Sequence, residues 1–282
     1  MDLTSVRKRS ERRRRGAILV SVLWILIFVA FLAVVLRTQM TGVLASVRVT
    51  EDKASARILA EAGLAQAAAE IRAGPPDGEG RLDDEMSSTI TLPAGTASIF
   101  ITNEATRIDL NTADRDLIVG ALQAAGATRP VADDLATRIV GRRTQSPPAL
   151  FQTVADFAAF PGVSPDIAIA IEPYVTVSSG LAGVRVEALD DDVLRALPGL
   201  SPSVPRAITD YRAGRLSREQ FEQSLGGVAF NTWELAPTWR VDLKATLQSG
   251  YSESFEALML VSAADGLPYR VLDWRRAAVE LE

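Results

Sequence analysis

The chain contains no cysteine and no histidine among its 282 residues. Without them, Ser-His-Asp and Cys-His nucleophilic sites and the usual zinc ligand sets are excluded. The missing cysteine leaves the redox compartment open. Aromatic residues are sparse, 6% of the chain, and Trp233, Trp239 and Trp274 fit core or interface positions better than a ligand box. Composition permits paired carboxylates, but no motif singles out a pair, so neither catalysis nor a cofactor is expected. Cations are scarce beyond the start. Residues 1–16 hold seven Lys/Arg against Asp2 and Glu11, so the formal charge of −5 conceals an acidic remainder of about −10. Such a body is a poor partner for nucleic acid, which needs clustered cations.

What is present begins with Arg12-Arg13-Arg14-Arg15-Gly16 and an apolar run from Ala17 to Leu36, in which Ser21 is the one polar side chain. A hydrocarbon core roughly 30 Å thick takes about 20 helical residues. Residues 17–36 are therefore expected to cross a membrane, with the basic leader 1–16 cytoplasmic and the rest outside. A secretory signal would have a shorter apolar core followed by a cleavage site and a loop. Here Met40, Val43, Leu44 and Val47 continue the helical spacing. An Ala-rich stretch then reaches Ala73, and Gly74-Pro75-Pro76 stops it. A helix over 17–73 is expected, about 85 Å long at 1.5 Å per residue. Its small residues, Ala60, Gly63, Ala67 and Ala68 among them, suit close backbone packing. The plainer alternative for this stretch is a signal anchor with an amphipathic stalk.

The Gly- and Pro-rich segment from Gly74 to Glu85 is expected as a loop. Short alternating patterns predict strands at Thr89–Leu92, Ala97–Thr102 and Arg107–Leu110. The last runs into Asn111-Thr112-Ala113-Asp114, a helix cap with a carboxylate three residues on. Residues 111–228 are mostly helical. Two phrases within them share one order: Val154 to Phe160, then Pro161-Gly162-Val163-Ser164-Pro165; and Val193 to Leu197, then Pro198-Gly199-Leu200-Ser201-Pro202. Each is an apolar helix, a Gly turn, and a Ser N-cap with Pro at the first helical position. These are helix-hairpin-helix signatures, with a weaker copy near Gly126. Ile108 to Ala113 and Val184 to Leu189 echo each other before a helix, and Asp190 is the expected second cap. Strand patterns at Tyr174–Val177 and Val184–Val186 interrupt the helices. Three more follow at Trp239–Leu247, Ser254–Val261 and Pro268–Trp274, with turns at Ser249-Gly250 and Asp265-Gly266. The expected class is α+β: an antiparallel sheet (86–110 and 229–282) split by the helical insertion 111–228.

The leader ending in Gly, the small residue after it and the apolar helix resemble the class III signal of type IV pilins and pseudopilins. The resemblance implies cleavage by prepilin peptidase between Gly16 and Ala17, and N-methylation of Ala17. Most members carry Glu where this chain has Ser21. A carboxylate in lipid needs a partner, which the resemblance assigns to the amino terminus of the adjacent subunit. A subunit without it suits the tip of a fibre. With the Ile108-to-Ala113 phrase, the two hairpins and the closing strands, nearly the whole chain resembles the type II secretion protein K family of minor pseudopilins. That implies a small pilin-like sheet with an insertion of helix-hairpin-helix (SAM-like) units. It also implies a single-pass inner-membrane protein with a periplasmic body. Together with I- and J-type subunits, such a body caps or initiates a pseudopilus that supports export of folded proteins. The family's acidic Asp-x-Asp stretch is replaced by Gly141 to Pro148, which puts its calcium site in question. Asp190-Asp191-Asp192 remains open between a calcium ligand set and a helix N-terminus.

The hairpin phrases also resemble DNA-uptake proteins, whose turns aim backbone N–H groups at a phosphate. A membrane-anchored helix-hairpin-helix DNA receptor is the alternative function. Against it, Ser164 and Ser201 replace the second glycine, and Asp166 and Glu172 lie on the helix after the first turn. The second hairpin does carry Arg206 and Arg212.

Overall fold

The computed structural model describes residues 3–74, 85–197, 200–201, 203–226, 228, 230–261 and 267–277; within the first helix, the side chains of 3–21 and 33–46 are outside that description. In chain order the elements are α1 (Leu3–Ala73), β1 (Glu85–Leu92), β2 (Gly95–Asn103), β3 (Ile108–Asp109), α2 (Arg115–Ala124), α3 (Arg129–Arg143), α4 (Ala155–Ala158) and α5 (Pro165–Ile171). Then come β4 (Val175–Thr176), α6 (Asp191–Ala196), α7 (Ser203–Arg212), α8 (Arg218–Leu225), β5 (Thr238–Leu247), β6 (Ser252–Leu260) and β7 (Arg270–Arg276). Two compact units divide the chain, Met1–Arg57 and Ile58–Glu282.

The first unit is helical from Leu3 onward. Of the expected span 17–36, the side chains of residues 22–32 are described, and these are exposed. Among the described residues no helix is long and apolar enough to cross a membrane.

The second unit holds the end of α1 and everything after it. Five antiparallel strands run in the order β1-β2-β5-β6-β7. Alternation makes one face apolar: Ala97, Ile99 and Ile101 on β2, Val241, Leu243 and Ala245 on β5, and Phe255, Ala257 and Met259 on β6 are buried. The stripe Leu59, Ala60, Gly63, Leu64, Ala67, Ala68 and Ile71 is buried at helical spacing. Gly63 brings the two together: a Cβ there would lie 2.9 Å from Leu243 and 3.4 Å from Ala97. Each fully buried Leu or Ile contributes roughly 1.5–3 kcal/mol. The small residues set the closeness and the large ones supply most of the apolar area.

The helices lie between β2 and β5, which are neighbours in the sheet. Their own core gathers Leu117, Ile118, Leu122, Leu135, Ile139 and Phe157. α2 and α6 cross at a glycine: a Cβ on Gly120 would sit 2.6 Å from Leu197 Cδ2.

The strands expected at Thr89–Leu92, Ala97–Thr102 and the three C-terminal positions appear as β1, β2, β5, β6 and β7, each within a few residues of the predicted ends. The expected loop 74–85 and the Asp265-Gly266 turn lie outside the described residues apart from Gly74 and Glu85. Three details differ. The strand expected at Arg107–Leu110 shortens to β3, which pairs in parallel with β4 rather than joining the large sheet. Val184 to Val186 forms a single bridge, Val184 with Asn231, and then a 3₁₀ turn over Val186–Ala188. Asn111 does not cap α2; Asp114 occupies that position, because the Asn111 amide is committed elsewhere.

Candidate functional site

The first of the two hairpin phrases runs through α4 and α5. The helix expected from Val154 to Phe160 shortens to the single turn α4, which buries Phe157. Gly162 then takes a φ of +88°, a left-handed conformation that suits glycine. Ser164 caps α5, its hydroxyl accepting from Ile167 N at 3.3 Å, with Pro165 at the first position. The turn itself is occupied. Arg138 on α3 donates to the Pro161 carbonyl at 2.7 Å and to Asp134 at 3.0 Å, and stacks over Phe160 at 5.3 Å. Its guanidinium lies 2.8 Å from where a Gly162 Cβ would be. Upstream, Asp156 accepts from the backbone N–H groups of Gln152 and Thr153 at 2.8 and 3.0 Å. The bonds from Thr153 and Gln152 hold its carboxyl below the usual range.

In the second hairpin, Pro198, Gly199 and Pro202 lie outside the described residues. Asp190 caps α6 as expected, accepting from Asp192 N at 2.8 Å. Asp191 pairs with Arg212 at 3.0 Å and Asp192 with Arg195. Arg212 also donates to the carbonyls of Glu187 and Leu189, so this cation ties α7 to the preceding turn. Arg206 is exposed. Among the described residues no group of three or more carboxylates is placed to hold a metal ion.

The echo phrase turns out to hold a knot. Asp109, 1% exposed, accepts from Asn111 N at 2.7 Å, Gly180 N at 2.8 Å and Ser179 Oγ at 3.1 Å. The Asn111 side chain accepts from Phe151 N and donates to the carbonyls of Phe151 and Val177. Arg143 donates to the carbonyls of Leu110 and Ala113, both at 2.8 Å. Burial lowers the Arg143 pKa, with Asp109 and Asp114 opposing. Three distant segments, at Arg143, at Phe151 and at Val177 to Gly180, are thereby closed on residues 109–113. Arg185 is fully buried; it pairs with Glu187 at 2.7 Å and lies 5.5 Å from the Trp233 ring centroid. Trp239 is buried, Trp233 is half-buried against the core of the insert, and Trp274 packs against Phe255.

A chain of charges joins sheet to insert. Arg240 on β5 pairs with Glu104 at 2.9 Å and with Glu256 on β6. Arg275 on β7 pairs with Glu256 at 3.0 Å and Glu172 at 2.8 Å. Burial opposes the charge on Arg240, but Glu104 and Glu256 outweigh it and raise its pKa. Burial likewise opposes the Glu256 carboxylate, and Arg240 and Arg275 more than compensate, leaving it below the ordinary range. Asp242 is pushed up by burial and by Glu256. Above this chain lies a cleft of about 560 Å³ lined by Thr153, Val154, Val177, Leu258, Leu272 and Arg275. Its arginines and two of its acids, Glu172 and Glu256, face one another, which is the chemistry of a rigid joint.

Gly16, Ala17 and Ser21 fall within α1, and their side chains lie outside the described ones. Sequence reasoning missed Asp109, Arg143, Arg185 and Arg240; for Asp109 and Arg185 an isolated charge between apolar strand residues was the one signal.

No family model matches the chain, and no curated protein matches it. Among solved structures it is similar to a chain of the GspK-GspI-GspJ complex from the type 2 secretion system of enterotoxigenic Escherichia coli. The match covers 82% of this chain and 99% of that one, at 10% identity and a TM-score of 0.53. At that identity the likeness is one of fold.

Proposed function

We propose that this chain is a minor pseudopilin of a type II secretion system, working at the tip of a periplasmic pseudopilus. The observation that carries it is architectural: a helix-backed antiparallel sheet interrupted between adjacent strands β2 and β5 by a helical insert. The fold likeness to a chain of the GspK-GspI-GspJ complex supports it, as does the basic leader ending at Gly16 before an apolar run. In this reading prepilin peptidase cuts between Gly16 and Ala17, the new amino terminus on Ala17 is methylated, and residues 17–36 stand in the inner membrane. The periplasmic body joins I- and J-type pseudopilins. Ser21 leaves no carboxylate to pair with a subunit above, and the bulky insert obstructs one. Its work is assembly in support of export, not chemistry on a substrate. The packed Arg138 at the first Gly turn and the internally bonded Arg212 leave the DNA-receptor alternative without support.

The test is the mature amino terminus. Mass spectrometry of protein taken from membranes should find N-methyl-Ala17, and Gly16→Leu should retain the leader. An intact Met1 end in cells with active prepilin peptidase would sink the proposal.

A further inference from the structure

The two edges of the five-stranded sheet are built differently. β7 carries Arg270, Asp273, Arg275 and Arg276 within seven residues, and its register with β6 shifts at Leu258/Met259. Charges and a bulge are the devices that keep an edge strand from pairing with another chain. β1 has neither. Glu85 is its one charged residue, Met86 to Leu92 includes no proline, and eight consecutive pairs hold it to β2 without a break. Among the described residues no strand lies on its outer side.

Its side chains alternate. Ser87, Thr89 and Thr91 are exposed; Met86, Ser88 and Ile90 are half-buried on the face that α1 backs. Along the exposed face runs an open groove of about 690 Å³, lined by Ser87, Thr89, Ser98, Phe100 and Thr246, with Lys244 its one charged side chain. Phe100 is 38% exposed there.

We propose that β1 is a docking edge, and that its occupant is an extended, uncharged strand of a partner pseudopilin added as a sixth strand. This rests on the pseudopilin reading above. Main-chain hydrogen bonds hold such a strand, and alternate side chains give it register. Opposite Met86, Ser88 and Ile90 it presents apolar residues; opposite Ser87, Thr89 and Thr91 it presents hydroxyls, since cross-strand partners share a face. A charged strand would lose hydration along this edge and meet almost no counter-charge.

The experiment is amide hydrogen exchange on the full chain in detergent, alone and co-purified with the I- and J-type pseudopilins of its own system. Exchange at the alternate amides of 85–92 that point away from β2 should slow at least tenfold in the complex, with 270–276 unchanged. Ser87→Lys/Thr89→Lys, on the exposed face, should weaken assembly at least tenfold and keep the parental melting point, whereas Val271→Lys on β7 should not weaken it. If the double variant fails to fold, the exchange comparison on the parent chain still decides. A complex that forms without slowing β1 overturns the docking edge and leaves the pseudopilin reading standing. No complex with either partner overturns both. Protection of the outward-pointing β1 amides already present in the isolated chain, or growing with its own concentration, assigns the edge to this chain or to a second copy and also overturns the proposal.

Discussion

Replacing Asp109 with alanine isolates the knot at the centre of the insert. The carboxylate accepts from Asn111 N, Gly180 N and Ser179 Oγ, so the change leaves two backbone donors and one hydroxyl without an acceptor. A hydrogen bond is worth about 1 kcal/mol net, and a donor left buried and unsatisfied costs about 1–3 kcal/mol. Asn111 is half-buried and Gly180 exposed, so values near the lower end apply, giving about 3–4 kcal/mol in all. For a domain of this size that is a drop in Tm of roughly 6–16 °C. Asp109→Asn keeps the volume but turns an NH₂ toward one set of donors, and should recover only part of the loss. Asn111→Ala combined with Asp109→Ala should cost less than the two separately, because both act on one network. Near-UV circular dichroism of the full chain in detergent, followed through a thermal melt, measures this. An Asp109→Ala variant melting within about 2 °C of the parent, equivalent to less than about 1 kcal/mol, would refute the reasoning and reduce the knot to a surface ornament.

Gly120→Ala gains about 1 kcal/mol of helix propensity and meets Leu197 at 2.6 Å, an overpacking of about 1–3 kcal/mol. A net loss of up to about 2 kcal/mol is expected by these two effects; in a Leu197→Ala background the same change should cost less, because the clash is gone, read from urea midpoints. Arg240→Ala strands Glu104, which is 1% exposed, and should destabilise by about 3–5 kcal/mol; a neutral result in the same titration would mean the pairing is ornamental. Protonation acts in two directions here. The raised Asp242 carboxyl disfavours the folded state as pH rises from the ordinary carboxylate value through its own, while the lowered Glu256 supplies stability that is lost as pH falls below its ordinary value. Asp242→Asn should therefore raise Tm at pH 7 and remove the fall in stability above the carboxylate range, in melts taken from pH 3 to 8.

The sheet was the most legible part of the sequence. Arg240 to Ala245 alternates cleanly, and β5 follows it, because one face must be buried. Local turn chemistry was legible too: Ser164 and Asp190 cap where their side chains say they should. Competing uses of the same chemistry were not. Asn111 and Asp114 can both cap a helix, and only the arrival of Phe151 and Val177 decides that Asn111 ties loops instead. Val184 to Val186 has a strand's composition, yet finds a single bridge and then turns, since tertiary partners decide pairing. Arg185 and Arg240 look like surface residues until Glu187, Trp233, Glu104 and Glu256 are placed beside them.

Asn103, at the end of β2, accepts from Ala236 N at 2.9 Å and donates to Ala236 O at 3.0 Å, across 133 positions of chain. It is a latch: the helical cargo leaves the scaffold and returns to it through a single doorway. Because β2 and β5 already pair on the scaffold side of that doorway, a tight turn could stand in for everything beyond it. The helices are thus a graft on a meander, free to diverge in sequence away from the points where Glu172 meets Arg275 and Ser178 meets Thr238.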